Sequence, residues 1–416
     1  MKKHKNRVRA IYILVCLVIA ASAASCYGKP QNTDSEMPNV TIENTPAPTY
    51  DAPPDTQTPT AEPPPTTPLP YAPDTQLVPY DGIVEHIFFH EIIAYPELAF
   101  DGETTQKGYD ENMVTVSEFH KILDSIYSND FILVDMNDVW SEYTDDSGVQ
   151  RMQRNTLMLP EGKKPLIISF DDISFYEYMR NDGFMHRLII GPDGDIWAAG
   201  ADPDGNEVVS QDLAAIPILD KFVREHPDFS SGGAKGCIAL TGYEGILGYR
   251  TQYDRNNDTE ESRLNRLHEI ARVMPVIDRL KETGWYFASH TYGHIDLSIS
   301  KLDRVIADAT RWMDEVGSLL GEVKILIYAH GARLDGSDVY NTGPAFQYYH
   351  DLGFRLFASV GSESFSRIKP DISAVVCDRM HVDGVSLRGQ RNQYLKFYDA
   401  AEVFDPLRPP EYSKSW

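Results

Sequence analysis

The chain has 416 residues, of which 42% are hydrophobic and 11% aromatic, so it can bury one large hydrophobic core or two smaller ones. Its formal net charge is −24 at pH 7, which disfavours nucleic acid and other polyanions as partners. Composition therefore excludes a wholly disordered chain and argues for neutral or cationic partners.

Residues 1–25 have the three parts of a secretory signal peptide. The basic stretch MKKHKNRVR precedes the apolar run AIYILVCLVIA and the small residues ASAAS. Residues 23–26 are similar to a bacterial lipobox, although Ala23 stands where leucine is usual. We therefore expect Cys26 to carry lipid and to hold the exported protein at the extracellular face of the cell membrane. An ordinary cleaved signal, giving a secreted protein, and an uncleaved anchor are the alternatives.

Residues 26–79 are rich in proline and threonine, and 14 of the 27 prolines lie at positions 30–79. A segment so poor in large apolar residues cannot form a core, and its prolines favour extended conformations. We interpret it as a disordered tether that holds a folded domain, residues 80–416, away from a membrane surface. A disordered insertion without that role is the alternative.

From about residue 80, short apolar runs alternate with helical patterns. Strands are predicted at 83–89, 131–134, 165–170, 187–190, 236–240, 285–288, 324–328 and 355–359. Helices are predicted at 116–127, 213–226, 263–282 and 300–320. Gly284 and Gly321 follow the last two helices as C-cap signals. Buried strands that alternate with long helices predict a mainly parallel α/β sheet or barrel.

Polar side chains that can bind a metal follow several of these strands. Asp171 and Asp172 follow the third predicted strand, His290 and His294 follow the sixth, and His90 follows the first. Because function gathers at the carboxyl ends of parallel strands, we expect these side chains to lie together. Each motif alone also has a structural interpretation: Asp172 could cap a helix, and two histidines at this spacing occur on solvated helix faces.

Two adjacent carboxylates after a buried strand repel each other unless a cation compensates their charge. Two imidazoles and one carboxylate make a three-ligand site with an open position, which zinc uses to activate water or to polarise a carbonyl. The combination therefore predicts a metal site. A four-cysteine zinc site is excluded, because only Cys237 and Cys377 remain in the predicted domain, where we expect buried free thiols.

Two segments together resemble a known family. The segments ISFDD and SHTYGH are similar to the motifs Thr-Phe-Asp-Asp-Gly and His-Ser/Thr-x-x-His of the polysaccharide deacetylases, carbohydrate esterase family 4. The resemblance covers about residues 80–390. It implies a deformed (β/α) barrel, an N-acetylated glycan as substrate and a divalent metal, commonly Zn²⁺, with Co²⁺ or Mn²⁺ as alternatives.

The same resemblance assigns roles to individual residues. Asp172, His290 and His294 match the metal ligands, and Asp171 matches the catalytic base. His381, in the segment DRMHVDG, is the candidate for the family's catalytic acid. A surface or structural histidine is the alternative for His381.

The later motifs depart from the family pattern. Ile327 stands where the family has an arginine that pairs with the base, so we expect the surroundings of the base to be incomplete. Arg379 stands where a leucine usually precedes the acid histidine. His90 and His330 are candidates to line the pocket, and Tyr243, in a glycine-rich loop, is a candidate to contact sugar.

These observations predict hydrolytic N-deacetylation of a cell-envelope or extracellular polysaccharide, with Asp171 as the base. One alternative is an envelope protein that binds glycan on a deacetylase-like barrel but has lost turnover. Another is a metal hydrolase of a different amide or ester.

Overall fold

The computed structural model describes residues 75–334, 343–369 and 373–410. The predicted signal peptide, the predicted lipidation site Cys26 and the predicted tether up to residue 74 lie outside the described residues. Within the described ranges, no helix is both long and apolar enough to span a membrane.

The described residues form sixteen strands. In chain order they are β1 Leu77–Tyr80, β2 Glu85–Phe89, β3 Phe131–Leu133, β4 Trp140–Thr144, β5 Gln150–Arg154, β6 Leu157–Pro160, β7 Lys164–Asp171, β8 Arg187–Ile190, β9 Ile196–Ala201, β10 Glu207–Ser210, β11 Cys237–Leu240, β12 Tyr286–Ser289, β13 Ile325–Ile327, β14 Leu356–Val360, β15 Phe365–Lys369 and β16 Ala374–His381.

The α-helices of the same part of the chain are α1 Pro96–Ala99, α2 Gln106–Asn112, α3 Val116–Ser128, α4 Met136–Val139, α5 Ala215–Glu225, α6 Glu260–Glu282, α7 Leu302–Trp312, α8 Ser318–Leu320, α9 Pro344–Asp351, α10 Gly384–Gly389, α11 Arg391–Tyr394 and α12 Ala400–Val403. A π-helical turn, Met313–Gly317, joins α7 to α8, and 3-10 turns cover Glu177–Met179, Pro227–Phe229 and Ala329–Gly331.

Seven strands close into a parallel barrel. The ring runs β7, β11, β12, β13, β14, β16 and β2, and β2 pairs again with β7. The other strands lie outside the ring: β3 pairs with β7 and β15 with β16, while β1–β6, β4–β5 and β8–β9–β10 form small antiparallel sheets. The prediction of a deformed (β/α) barrel is confirmed.

The ring is closed by a short seam between its first and last strands. β15 pairs with β16 along Ala374–Asp378, so β2 reaches β16 only at its end, through the pairs Met380–Ile87 and His381–Phe88. The Ser364 side chain accepts a hydrogen bond from the backbone N–H of His86 at 2.9 Å, beside this seam. The barrel is therefore irregular on the side where β16 ends.

Side chains of the barrel strands alternate between two apolar clusters, as the two-residue period of a strand requires. On β7, Ile168 and Phe170 pack in the larger cluster, which also contains the buried faces of the helices, whereas Ile167 packs in the smaller one. The smaller cluster fills the barrel interior with short side chains such as Ala239 and Ala288. Short residues there leave room for longer polar side chains at the carboxyl end.

All predicted strands are present, with ends shifted by at most two residues, and all four predicted helices form. Gly284 and Gly321 adopt positive φ values of 98° and 78°, as expected after helix C-termini. Cys237 and Cys377 are buried free thiols, also as predicted. β1 begins at Leu77, inside the predicted tether.

The barrel strand β16 was not predicted. Its segment AVVCDRMH contains two adjacent charged residues, which obscured the apolar alternation. The predicted strand at 187–190 forms, but in the side sheet rather than in the barrel.

Candidate metal centre

The predicted site residues follow the carboxyl ends of barrel strands in register. Asp171, the last residue of β7, pairs with Ala239 of β11, and Ser289, the last residue of β12, pairs with Leu240. Since these strands run in parallel, the residues that follow them meet at one end of the barrel. Asp172 and His290 are each the first residue beyond their strand.

The structure brings Asp172, His290 and His294 together. One potential ligand atom from each lies within 4.8 Å of the others. Asp172 Oδ2 lies 3.4 Å from His294 Nε2 and 3.7 Å from His290 Nε2. A carboxylate and two imidazoles with this convergence suit a divalent metal that keeps an open position for water or substrate.

The turn that carries the two histidines is held by hydrogen bonds to its backbone. The Asp308 carboxylate, on α7, accepts hydrogen bonds from the N–H groups of Tyr292 and Gly293 at 2.7 and 2.8 Å. The Thr291 hydroxyl accepts another from Ile295 N–H at 3.0 Å. His294 itself has a φ of 50°, a conformation that costs backbone energy and is tolerated because these contacts determine the turn.

The donor atom of His290 is oriented for a cation. His290 Nδ1 lies 2.9 Å from the carbonyl oxygen of Ile327, which fixes Nδ1 as the protonated nitrogen and leaves the Nε2 lone pair facing Asp172. Burial lowers the pKa of His290 and so favours the neutral, metal-binding form. Ile327, which stands where the family has an arginine, thus orients the predicted ligand His290 through its backbone carbonyl.

Asp172 is held in its place by a tyrosine. Its φ is 62°, in the left-handed region that aspartate tolerates better than most residues. The Tyr176 hydroxyl donates a hydrogen bond of 2.7 Å to Asp172 Oδ1, which leaves Oδ2 for the histidines. Burial would raise the pKa of Asp172, but His294 and His290 outweigh it and hold the pKa well below its ordinary value.

The expectation that the base lacks its arginine is wrong, because Arg379 supplies one from another strand. Arg379 Nη1 and Nη2 donate hydrogen bonds of 2.8 and 2.9 Å to the two carboxylate oxygens of Asp171. Both side chains are buried, and the guanidinium lies 4.0 Å from the centroid of the Phe88 ring. Burial would raise the pKa of Asp171, but Arg379 outweighs it and lowers the pKa, so the carboxylate stays ionised.

The alternation of side chains along β16 would have predicted that Arg379 points into the barrel. On β16, Val375 and Cys377 pack inside the barrel, whereas Val376 and Met380 pack outside. Arg379 has the same parity as Cys377, so a prediction of this strand would have pointed it inward.

His381, the other inward position at the end of β16, belongs to a chain of polar contacts. His381 Nδ1 lies 2.8 Å from Asp383 Oδ2, and its ring stacks on Phe88 with centroids 4.3 Å apart. His381 Nε2 lies 3.0 Å from His90 Nδ1. His90 Nε2 in turn lies 3.9 Å from Asp172 Oδ2, so His90 lies between His381 and the ligand cluster. Burial lowers the pKa of His90 to about 4.

His330 and Tyr243 border the same centre. The His330 ring packs against His294 with centroids 4.3 Å apart and is exposed to solvent. Tyr243 stacks on Tyr176, the residue that binds Asp172. All candidate site residues in the described part of the chain therefore lie in one region.

The fold and these side chains define a closed parallel (β/α) barrel with a candidate metal centre at the carboxyl ends of its strands. No protein-family model and no curated protein sequence matches the chain.

Among solved structures, the chain is similar to the deacetylase PplD of Streptococcus pyogenes, solved in complex with acetate, with 13% identity and a TM-score of 0.39 over 74% of this chain and 94% of that chain. It is also similar to a polysaccharide deacetylase from Bacillus cereus, with 11% identity and a TM-score of 0.39. The second match covers 74% of this chain and 65% of the other, slightly less than two thirds of its length.

Proposed function

We propose that this protein is a metal-dependent hydrolase that removes acetyl groups from an N-acetylated polysaccharide. The observation that carries the proposal is the juxtaposition of two carboxylates with different surroundings. Asp172 faces two imidazoles within a potential ligand cluster, whereas the neighbouring Asp171 is held ionised by Arg379. Because the two adjacent carboxylates have separate partners, Asp172 is suited to bind a metal and Asp171 is suited to act as a base.

The residues divide the chemistry between them. Asp172, His290 and His294 would hold a divalent metal such as Zn²⁺, which would polarise the acyl carbonyl and lower the pKa of a water molecule. Asp171 takes the proton of the water that attacks the acyl carbon. Both Asp171 oxygens accept from Arg379 but retain a second lone pair each, so the carboxylate can still accept a proton.

The second half of the reaction needs a proton donor. When the carbon–nitrogen bond breaks, the amine nitrogen takes a proton, and the products are acetate and a sugar with a free amine. We assign this donation to His381, which Asp383 orients through Nδ1, together with His90, which lies between His381 and the ligand cluster. The positions of His381 and His90 suit this role because both are half-buried beside the cluster.

Metal analysis combined with an acetate-release assay tests the proposal. The full chain, loaded with Zn²⁺, Co²⁺ or Mn²⁺, is incubated with N-acetylated oligosaccharides and with purified cell-envelope glycans. We expect acetate release that requires metal and that falls at least about 10²-fold in Asp171→Asn. A metal-loaded protein that releases no acetate from any of these glycans contradicts the proposal.

The alternative of a binding protein without turnover rested on the missing arginine and on the unassigned catalytic acid. Arg379 removes the first reason, because the base has a buried cationic partner, and the acetate-release assay decides the second. Hydrolysis of another amide or ester would use the same residues. The assay with N-acetylated oligosaccharides and cell-envelope glycans distinguishes it from deacetylation.

For its location, we propose export and attachment to the extracellular face of the cell membrane through lipid on Cys26. The support is the signal-like N-terminus and the lipobox-like residues 23–26. The proline-rich residues 26–79 would then place the barrel at a distance from the lipid surface, within reach of an envelope polysaccharide.

A further inference from the structure

Three tyrosine rings form a stack beside the metal centre. Tyr176 lies in the middle, with ring centroids 5.8 Å from Tyr178 and 5.1 Å from Tyr243. The rings deviate from parallel by only 12° and 13°. Tyr176 is buried, whereas Tyr178 is 56% and Tyr243 38% exposed. The stack therefore presents aromatic surface to solvent on a buried support.

The stack is joined directly to the proposed ligand set. The Tyr176 hydroxyl lies 2.7 Å from both Asp172 Oδ1 and Thr241 Oγ1. Its ring consequently cannot turn away without breaking contacts to the centre. Each exposed ring is thus joined through Tyr176 to the site where Asp172 faces the histidines.

A single arginine fixes the two loops that carry the exposed rings. Arg250 donates 2.7 Å hydrogen bonds to the carbonyl oxygens of Phe175 and Glu244 and to the Glu177 carboxylate. Glu244 also accepts a hydrogen bond from Glu177 N–H at 2.8 Å. The tyrosines thus project from loops already tied to each other, which reduces the entropy lost when a ligand binds.

The chemistry of this surface selects its ligand. Tyrosine offers an apolar ring face with a polar tip and suits partners that are apolar on one face and hydroxylated at the edge. A pyranose ring has that character. The net charge of −24 disfavours a polyanion. Single exposed tyrosines are common on protein surfaces. Here, in contrast, three stacked tyrosines lie beside the candidate metal centre, and packing of the hydrophobic core does not require the two exposed ones.

We propose that Tyr178 and Tyr243 form a binding platform for sugar rings of a neutral glycan, next to the acetylated residue being hydrolysed. This inference rests on the proposed deacetylase function for the identity of the reacting group, but the platform itself can be tested by binding alone.

The first test measures binding of tetra-N-acetylchitotetraose to the metal-loaded full chain by calorimetry. Tyr178→Ala and Tyr243→Ala should each weaken binding by about 3- to 10-fold, whereas Tyr178→Phe, which keeps the ring, should stay within about twofold of the parent. Tyr143→Ala is the matched control, because Tyr143 is 43% exposed on β4, outside the barrel ring. Melting temperatures of all variants establish that they are folded.

The second test compares kinetics on the tetrasaccharide and on a small acetyl ester that cannot reach the platform. Tyr178→Ala should raise KM for the tetrasaccharide much more than KM for the ester, whereas the control Tyr143→Ala should change neither value. If Tyr178→Ala and Tyr243→Ala bind the tetrasaccharide as tightly as the parent, or if the parent binds none of it, the platform is wrong. If the parent binds in a tyrosine-dependent manner but releases no acetate from any glycan, the platform stands and the proposed deacetylation fails.

Discussion

Arg379 and Asp171 form a buried, two-pronged ion pair across the barrel interior, although they lie 208 positions apart in the chain. Their strands, β16 and β7, are not neighbours, because β2 lies between them. Arg379 also donates a 3.0 Å hydrogen bond to Ser169 Oγ. Ser169 lies two residues before Asp171 on β7, so its side chain points to the same face of the strand. The proposed base therefore owes its charge and its orientation to the last strand of the barrel.

Substitution of Arg379 should affect both stability and activity. Arg379→Met leaves a buried carboxylate without a counter-charge and should cost about 3–5 kcal/mol of unfolding free energy. Arg379→Lys keeps the charge but loses the planar fork and should lower kcat/KM by about 10- to 100-fold. Denaturant titration and acetate-release kinetics measure the two effects.

The double variant Asp171→Asn/Arg379→Met provides the internal control, since it removes both charges. It should be more stable than Arg379→Met alone. Arg355→Lys, which alters an ion pair between the residue that precedes β14 and Glu142 on β4, should leave kcat/KM unchanged. An Arg379→Met protein as stable as the parent would show that the pair contributes little.

Asp383→Asn should impair catalysis without harming the fold. The substitution removes the charge that faces His381 Nδ1, and we expect kcat to fall by about 10²-fold. Asp383 also caps α10 by accepting a hydrogen bond from Ser386 N–H, and asparagine can do the same. Melting temperature and metal content should therefore stay at the parent values.

Asp399→Asn, at the N-cap of α12, is the matched control for this substitution and should keep full activity. If Asp383→Asn retains the parent kcat, His381 is not the proton donor.

Removal of a ligand should abolish metal binding. His290→Ala and Asp172→Ala should each reduce the metal content measured by mass spectrometry from about one equivalent to near zero, whereas His330→Ala should retain it. Metal at 100 times its Kd adds about 2.7 kcal/mol to stability, so a chelator should lower the melting temperature of the parent but not of His290→Ala. Unchanged metal content in both ligand variants refutes the ligand assignment.

The burial of Glu91 leads us to expect that the stability of the protein depends on pH. It is buried and, among the described residues, neither of its carboxylate oxygens has a hydrogen-bond partner. Burial raises the pKa of Glu91 well above its ordinary value, so the folded state prefers the protonated form. Its contribution to stability is complete below the unfolded pKa near 4.5 and is lost as pH rises through the folded pKa.

Glu91→Gln should therefore raise the melting temperature at pH 8, by about 2–4 °C, and change it little at pH 4. Differential scanning calorimetry at the two pH values measures this difference. Glu103→Gln, at an exposed position, should have no effect at either pH. A Glu91→Gln protein that is less stable than the parent at pH 8 shows that the carboxylate is stabilising.

The proposed lipidation of Cys26 leads to a prediction about how the protein fractionates. Cys26→Ala should move the protein from the membrane fraction to the soluble or secreted fraction, because the thiol that accepts lipid is lost. Metabolic labelling with a fatty acid should mark the parent only. Equal membrane association of the variant and the parent would falsify the lipid anchor.

Much of the barrel could be predicted from the sequence because its strands are short, uninterrupted apolar runs between amphipathic helices. The candidate metal site could also be predicted, since Asp172 and His290 follow such strands directly and His294 lies on the turn that begins at His290. The environment of Asp171 could not, because Arg379 lies in a strand that was not predicted, and an arginine is rarely buried without a partner. The position of a charged residue inside a barrel can be predicted only once its partner is known. Here the partner of Arg379 is Asp171, which lies 208 positions away in the chain.

The short seam between β2 and β16 has a consequence for how the protein matures. β16 is the last barrel strand to be synthesised and carries both Arg379 and His381. Until it docks against β2, Asp171 has no guanidinium partner and His90 has no second histidine. We therefore expect closure of the ring and completion of the candidate site to occur together, and a chain that ends before residue 374 should acquire neither.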